Sequence, residues 1–217
     1  DAAVEEMRLA LDEFEVEGIG HNLPFLSAVM DHPRFASGNI TTAFIEEEYP
    51  DGFEGATLGD DLLKRVAACA CAMNRVAEIR RARVSGRMDN HERVVGTDWV
   101  VSLGGQDYTT SIQADREGAT VTLDGSDYRI SSSWLPGQPL ARLTVNGTPL
   151  VMKVARQPGG YRLRLRGADL KVRVHSPRMA ELAALMPEKM PPDTSKLLLC
   201  PMPGMVVSIA GEEGQEV

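Results

Sequence analysis

Apolar and polar positions along this chain follow two periods, and the change from one to the other divides it. Residues 1 to about 50 follow helical spacing. Met7, Leu11 and Phe14 recur at helix intervals, and Leu9 and Ala10 widen the stripe into an amphipathic helix already under way at the first residues. Asn22 is placed to cap a second helix that carries Pro24 in its first turn, and "GNITTAFIEEEYP" gives a short strand or helix ending before Pro50. From Asp60 to about Arg83 the chain lacks Pro and Gly. That predicts a helix of about 24 residues and about 36 Å, with Thr57 and Asp60 at capping-box spacing across Gly59. Its middle, "VAACACAM", is apolar or small on every side, which predicts burial on every side.

Beyond Gly96 the period becomes two. Turn signals recur at Gly104-Gly105, Glu117-Gly118, Asp124-Gly125, Pro136-Gly137, Asn146-Gly147, Pro158-Gly159-Gly160 and Gly167-Ala168. They separate eight strands between about Thr97 and about His175. Arg162, Arg164 and Arg166 oppose Leu163 and Leu165, and Lys171 and Arg173 oppose Val172 and Val174. The fold class is α+β, mostly β in the centre: an antiparallel meander able to close into an up-and-down barrel. Such a barrel is just wide enough for its own side chains, so a helix fits inside only if its own are small. Ala67, Ala68, Cys69, Ala70, Cys71 and Ala72 meet that condition, and the helix is expected to be clasped by the meander with Ala70 and Met73 buried. The connection from Arg83 to Gly96, "RVSGRMDNHERVVG", is polar and longer than a tight link requires. After Pro177 a short helix, "RMAELAALM", runs into the semi-rigid "PEKMPPDTS". The chain ends on "CPMPGMVVSIAGEEGQEV", which opens a further β element with Met205, Val207 and Ile209 on one face.

Composition narrows the functional classes. A net charge of -8 argues against a dedicated nucleic-acid binder, and no apolar run approaches a membrane span. Three cysteines, Cys69, Cys71 and Cys200, suggest no disulfide framework and read as packing residues in a reducing compartment. "GIGHN" and "GTPLVMK" lack phosphate-loop spacing, and His21, His32, His91 and His175 are scattered. "ISSSW" has no nucleophile-elbow context. Glu46, Glu47 and Glu48 read as a solvated face, and the alternating arginines as a solvated barrel exterior or an anion-binding face. Spacing therefore favours a binding or scaffold module over a catalytic one, with a small-ligand-binding barrel of lipocalin type as an alternative.

Three stretches carry a family resemblance. "RLALDEFEVEGIGHNLPFLSAVMDHPRFASGNITTAFI" resembles the C-terminal end of a biotin carboxylase domain. "EEEYPDGFEGATL" is similar to the exit from that domain in propionyl-CoA carboxylase α subunits, and "CPMPGMVVSIAGEEGQEV" to the start of a biotin carboxyl carrier domain. The chain thus resembles a biotin-dependent acyl-CoA carboxylase α subunit, of the propionyl-CoA type, with the methylcrotonyl-CoA type as the other reading. The resemblance implies a carboxylase end over residues 1–52 and a linking domain over 53–178, comprising a helix at 58–83, a hook loop at 84–95 and a barrel at 96–176. It further implies a linker at 179–196 and a carrier start at 197–217. It implies that the hook docks on a carboxyltransferase β subunit through Arg87, Met88, Asn90, His91 and Arg93, in a hetero-oligomer of six α and six β subunits. Biotin would sit on a lysine beyond Val217, attached by a biotin protein ligase, with Lys189 unmodified. ATP and magnesium would belong to carboxylase residues upstream of Asp1, leaving no catalytic, cofactor-binding or metal residue here. Such a protein is cytoplasmic in a bacterium and in the mitochondrial matrix of a eukaryote.

Overall fold

The computed structural model describes residues 2–16, 18–85, 93–187, 204, 205 and 208. The chain divides into two compact units, Asp1–Ala184 and Leu185–Val217. In the second, Met205 is exposed; Lys189, Cys200, Val207 and Ile209 lie outside the described residues.

The first unit is built on eight strands: β1 (Asp98–Leu103), β2 (Gln106–Ala114), β3 (Ala119–Leu123), β4 (Ser126–Ser132), β5 (Leu140–Val145), β6 (Thr148–Gln157), β7 (Gly160–Leu165) and β8 (Ala168–His175). Each pairs antiparallel with the next, and β8 returns to β1 through Val101↔Val174, closing the barrel. Turn chemistry sets the register. Gly104-Gly105, Asp124-Gly125, Asn146-Gly147 and Arg166-Gly167 all have positive φ at both positions, the two-residue hairpin geometry that matches strand twist. These four tight turns lie at one end of the barrel, here called the turn end. The last of them corrects the sequence reading. The strand stops at Leu165, paired with Ala168, so Arg166 sits in the turn at φ 50 with its side chain buried instead of alternating outward.

Helix α5 (Asp60–Ala82) runs through the barrel, with Val66 to Cys71 all at 0% exposure. Around it close inward residues such as Leu103, Ile112, Leu123, Met152 and Leu163. Ala70 and Met73 are buried as expected. Small helical side chains leave room for the large strand side chains, so the interior is filled and not a ligand cavity. The expected capping box does not form. Gly59 is the N-cap without a side-chain hydrogen bond, and the first turn instead places Asp60 and Asp61 against the helix dipole.

The preceding segment forms α1 (Ala2–Glu13), α2 (Leu23–Asp31), α3 (Pro33–Ala36) and α4 (Phe44–Glu48). Asn22 is the N-cap of α2, without a side-chain hydrogen bond. The packed face of α1 differs from the predicted stripe: Met7 and Phe14 are exposed and Asp12 is buried. The cause is the partner α1 docks on. Asp12 Oδ1 accepts from Arg166 N at 2.8 Å and from Ser27 Oγ at 3.3 Å, while Arg166 Nε faces Asp12 Oδ2 at 3.0 Å. Lys153 Nζ donates to Leu11 O at 3.1 Å. Arg164 pairs with Glu15 and Arg142 with Glu13, so these strand arginines bind α1 and the segment after it. Arg162 pairs across the hairpin with Asp169. Gly167 passes so close that a Cβ there would lie 2.4 Å from Pro24 O. Burial raises the Asp12 carboxyl above its usual range, against the pull of Arg166.

Glu47 and Glu48 are not simply solvated. They bind Arg34 at 2.8 and 2.5 Å, and Glu48 meets His32 at 3.3 Å, around edge-on rings of Phe25, Phe44, Tyr49 and Phe53. Helix α6 (Pro177–Ala184) ends the unit. No described helix is long and apolar enough to cross a membrane.

Candidate partner-binding face at the open end of the barrel

At the end opposite the tight turns, α5 emerges between longer connections. Its face there repeats at helical intervals through Asn74, Glu78 and Arg81. Asn74 and Glu78 are buried at 9% and 5% exposure, deep enough that a carboxylate needs partners. Glu78 has two: Arg81, three residues on, and Arg93, which returns from the 84–95 loop. Arg75 Nη1 also donates to Gly96 O at 3.3 Å. The returning stem of that loop is thus tied to α5 by charge and by main-chain contact.

Of the residues expected to contact a partner, Arg87, Met88, Asn90 and His91 lie outside the described residues. Arg93 is half-exposed, with its guanidinium on Glu78. Beside it stand two valines of the stems, Val84 at 65% exposure and Val94 at 88%.

The neighbouring loops hold themselves rigid. Asp115 accepts from the backbone of Glu117 and Gly118, and the Arg129 guanidinium beside it holds its carboxyl far below the usual carboxylate range. Trp134 Nε1 donates to Gln138 O across the Pro136-Gly137 turn, and its ring meets Tyr161 edge-on at 6.1 Å. Between these loops and the emerging helix lie three clefts. One of about 220 Å³ is apolar, with Val76, Ile79 and Ile130 in its wall. Another of about 540 Å³ runs past Val84, Trp134 and Arg80. The third, of about 600 Å³, is polar and lined by Asn74, Glu78, Arg93, Trp99, Arg156 and His175 among others. Asn74 and Trp99 line it, and their Nδ2 and Nε1 atoms are buried with no hydrogen-bond partner among the described residues.

Cys69 and Cys71 are free, and burial pushes their thiols to about 12 and about 11, so both stay protonated near neutral pH. Thr110 Oγ1 additionally donates to Cys71 Sγ at 3.2 Å. Among the described residues no cluster of His, Cys, Asp and Glu could hold a metal ion. The sequence reading missed Asn74, Glu78 and Trp99. The signal was available for two of them: a polar Asn74 and an acidic Glu78 four residues apart on a helix otherwise destined for an apolar interior.

Comparison with known proteins agrees with this architecture. The chain is 67% identical over its full length to a propionyl-CoA carboxylase alpha chain of Ruegeria pomeroyi, of which it covers 32%. It is 34% identical to the mitochondrial propionyl-CoA carboxylase alpha chain of Mus musculus, with 99% of this chain and 30% of that one aligned. The human mitochondrial alpha chain is 31% identical over 99% of this chain and 30% of its own length. The chain therefore spans about a third of the length of these relatives. A family model for the biotin carboxylase C-terminal domain matches residues 1–47. A second, for the propionyl-coenzyme A carboxylase BT domain, matches residues 66–189, more than half of the chain. With its closed eight-stranded barrel around α5, the chain belongs to the propionyl-coenzyme A carboxylase BT domain family, joined to the end of a biotin carboxylase domain.

Proposed function

We propose that this chain is the scaffold portion of a propionyl-CoA carboxylase α subunit and that the open end of its barrel docks the α subunit onto a carboxyltransferase β subunit. The whole enzyme uses ATP and bicarbonate to carboxylate biotin, then transfers the carboxyl group to propionyl-CoA, giving methylmalonyl-CoA. Biotin, attached by a biotin protein ligase, and ATP with magnesium are its cofactors, and six α and six β subunits its assembly. In a bacterium it works in the cytoplasm, and in a eukaryote in the mitochondrial matrix. The contribution of this portion is positional: tethering raises the effective concentration of the carried group at the second site.

The observation that carries the docking reading is the gathering of exposed Val84 and Val94, three clefts and a buried Glu78 with two arginines at one end of a rigid barrel. An exposed apolar side chain in the wall of a cleft, as Val84 is, suits a contact surface. Arg87, Met88, Asn90 and His91 are its proposed contacts, while Arg93, held by Glu78, fixes where the loop re-enters the barrel. The test is capture of the carboxyltransferase β subunit by this chain, with residues 87–93 replaced by a glycine-serine segment of equal length. The replacement is expected to abolish capture with the barrel still folded. Capture that survives it would sink the assignment of the loop.

A further inference from the structure

The polar cleft beside the returning stem has a property that the docking reading leaves unused. Trp99 Nε1 and Asn74 Nδ2 are both buried and both lack a partner among the described residues. An unmade hydrogen bond inside a protein costs more than an exposed one, because the donor has lost water and gained nothing. Trp99 has only that one donor, and Asn74 occupies a mid-helix position where Asn is a poor helix former. Trp134 shows what the fold ordinarily does with an indole, giving its Nε1 to Gln138 O at 3.0 Å.

The charges around the cleft identify the missing acceptor. Among the described residues Glu78 is the single carboxylate lining it, and Arg81 and Arg93 both pair with that carboxylate. Arg156 and His175 also line the cleft. Among the described residues the wall therefore carries three arginines, Arg81, Arg93 and Arg156, against one carboxylate, on a chain whose formal net charge is -8. Two unpaired donors on residues of an arginine-rich wall suit a group that only accepts and bears negative charge.

We infer that this cleft receives a carboxylate side chain of the docking partner, with Trp99 Nε1 and Asn74 Nδ2 as donors to it and the arginine-lined wall as its countercharge. The inference rests on the docking reading and adds the recognition chemistry to it.

The test has two arms. In the first, the chain labelled with ¹⁵N is titrated with acetate as a carboxylate probe. The Trp99 indole N–H resonance is expected to move saturably, while that of Trp134 stays in place. In the second, capture of the carboxyltransferase β subunit is measured for Trp99→Phe and Asn74→Leu, which keep bulk and remove the donor. Each is expected to weaken capture by about tenfold or more, the loss typical of a hydrogen bond to a charged acceptor. Unchanged capture by both variants, or an indole that ignores acetate, overturns the inference while docking stands. Failure of the unaltered chain to capture any β subunit overturns the docking reading instead, and the acetate arm then decides whether the cleft binds carboxylates at all. If the indole is protected in the free chain, and a glycine-serine segment at residues 87–93 removes that protection, the cleft belongs to the chain's own loop and the inference is wrong.

Discussion

The two ends of this barrel solve opposite problems with the same residue types. At the turn end Arg166 is buried against Asp12, Lys153 is bonded to Leu11, and Gly167 lies against Pro24, leaving a void of about 60 Å³. At the open end arginines line clefts of about 540 and 600 Å³. Arginine at the turn end holds together parts of one chain that are 154 residues apart. Arginine at the open end pairs with nearby carboxylates, as Arg81 and Arg93 do with Glu78, and lines the clefts. Contacts between distant parts of one chain mark an internal joint, and clefts mark a surface with room for another molecule. Stability should therefore depend on the first and binding on the second.

Asp12→Ala is the hardest blow to the turn end. It leaves Arg166 buried with only Asp31 at 3.6 Å and Glu5 at 3.7 Å as distant countercharges. Loss of one partner of a buried pair costs about 3 kcal/mol here, the low end for such changes, read as a lower urea midpoint. A change below about 0.5 kcal/mol, the size seen at ordinary surface sites, would mean that the joint is ornamental.

A matched pair of glycines sharpens the contrast. Gly147 and Gly167 hold the same position in two hairpin turns, at φ 81 and φ 78, but a Cβ on Gly147 meets nothing within 4 Å. Gly147→Ala should cost about 1 kcal/mol for the left-handed backbone alone. Gly167→Ala adds the collision with Pro24 O, for a total of about 2–3 kcal/mol with overpacking included. Equal losses at the two sites would show that the helical segment does not press on the barrel in solution.

The smallest expected effect on stability belongs to the open end. Val84→Ser combined with Val94→Ser should leave the unfolding free energy within about 0.5 kcal/mol, since both side chains face solvent. Capture of a β subunit should nevertheless weaken about tenfold if the valines are buried on docking. A marked loss of stability would move the valines from the binding column to the structural one.

Most of the barrel was legible because its determinants are local. A Gly-Gly, Asp-Gly or Asn-Gly pair dictates a hairpin with its own φ angles, and the strands alternate between such pairs. The small-residue helix announced its burial for the same reason. The failures came where a residue answers to something distant. Arg166 extends the alternation of Arg162 and Arg164, yet the turn begins one residue before the glycine was taken to start it. Asp12 reads as polar and outward until Arg166 is known to lie beside it, and Met7 and Phe14 read as a core stripe until α1 is seen docked through its other face. At the open end the family resemblance pointed to the loop, while Trp99 carried no pattern at all, because an unsatisfied donor is visible only once its surroundings are built.

Helix α5 begins beside the turn end, where Lys64 meets Asp60 and Asp124, and finishes at the open end, where Arg80 Nη1 reaches Pro136 O. Its 23 residues make a shaft of about 35 Å held along its length by a seamless bearing. Close-packed interiors do not let such a shaft slide by fractions of a turn. A molecule gripping one end would therefore fix where the segment joined at the other end stands, at a set distance and a set rotation.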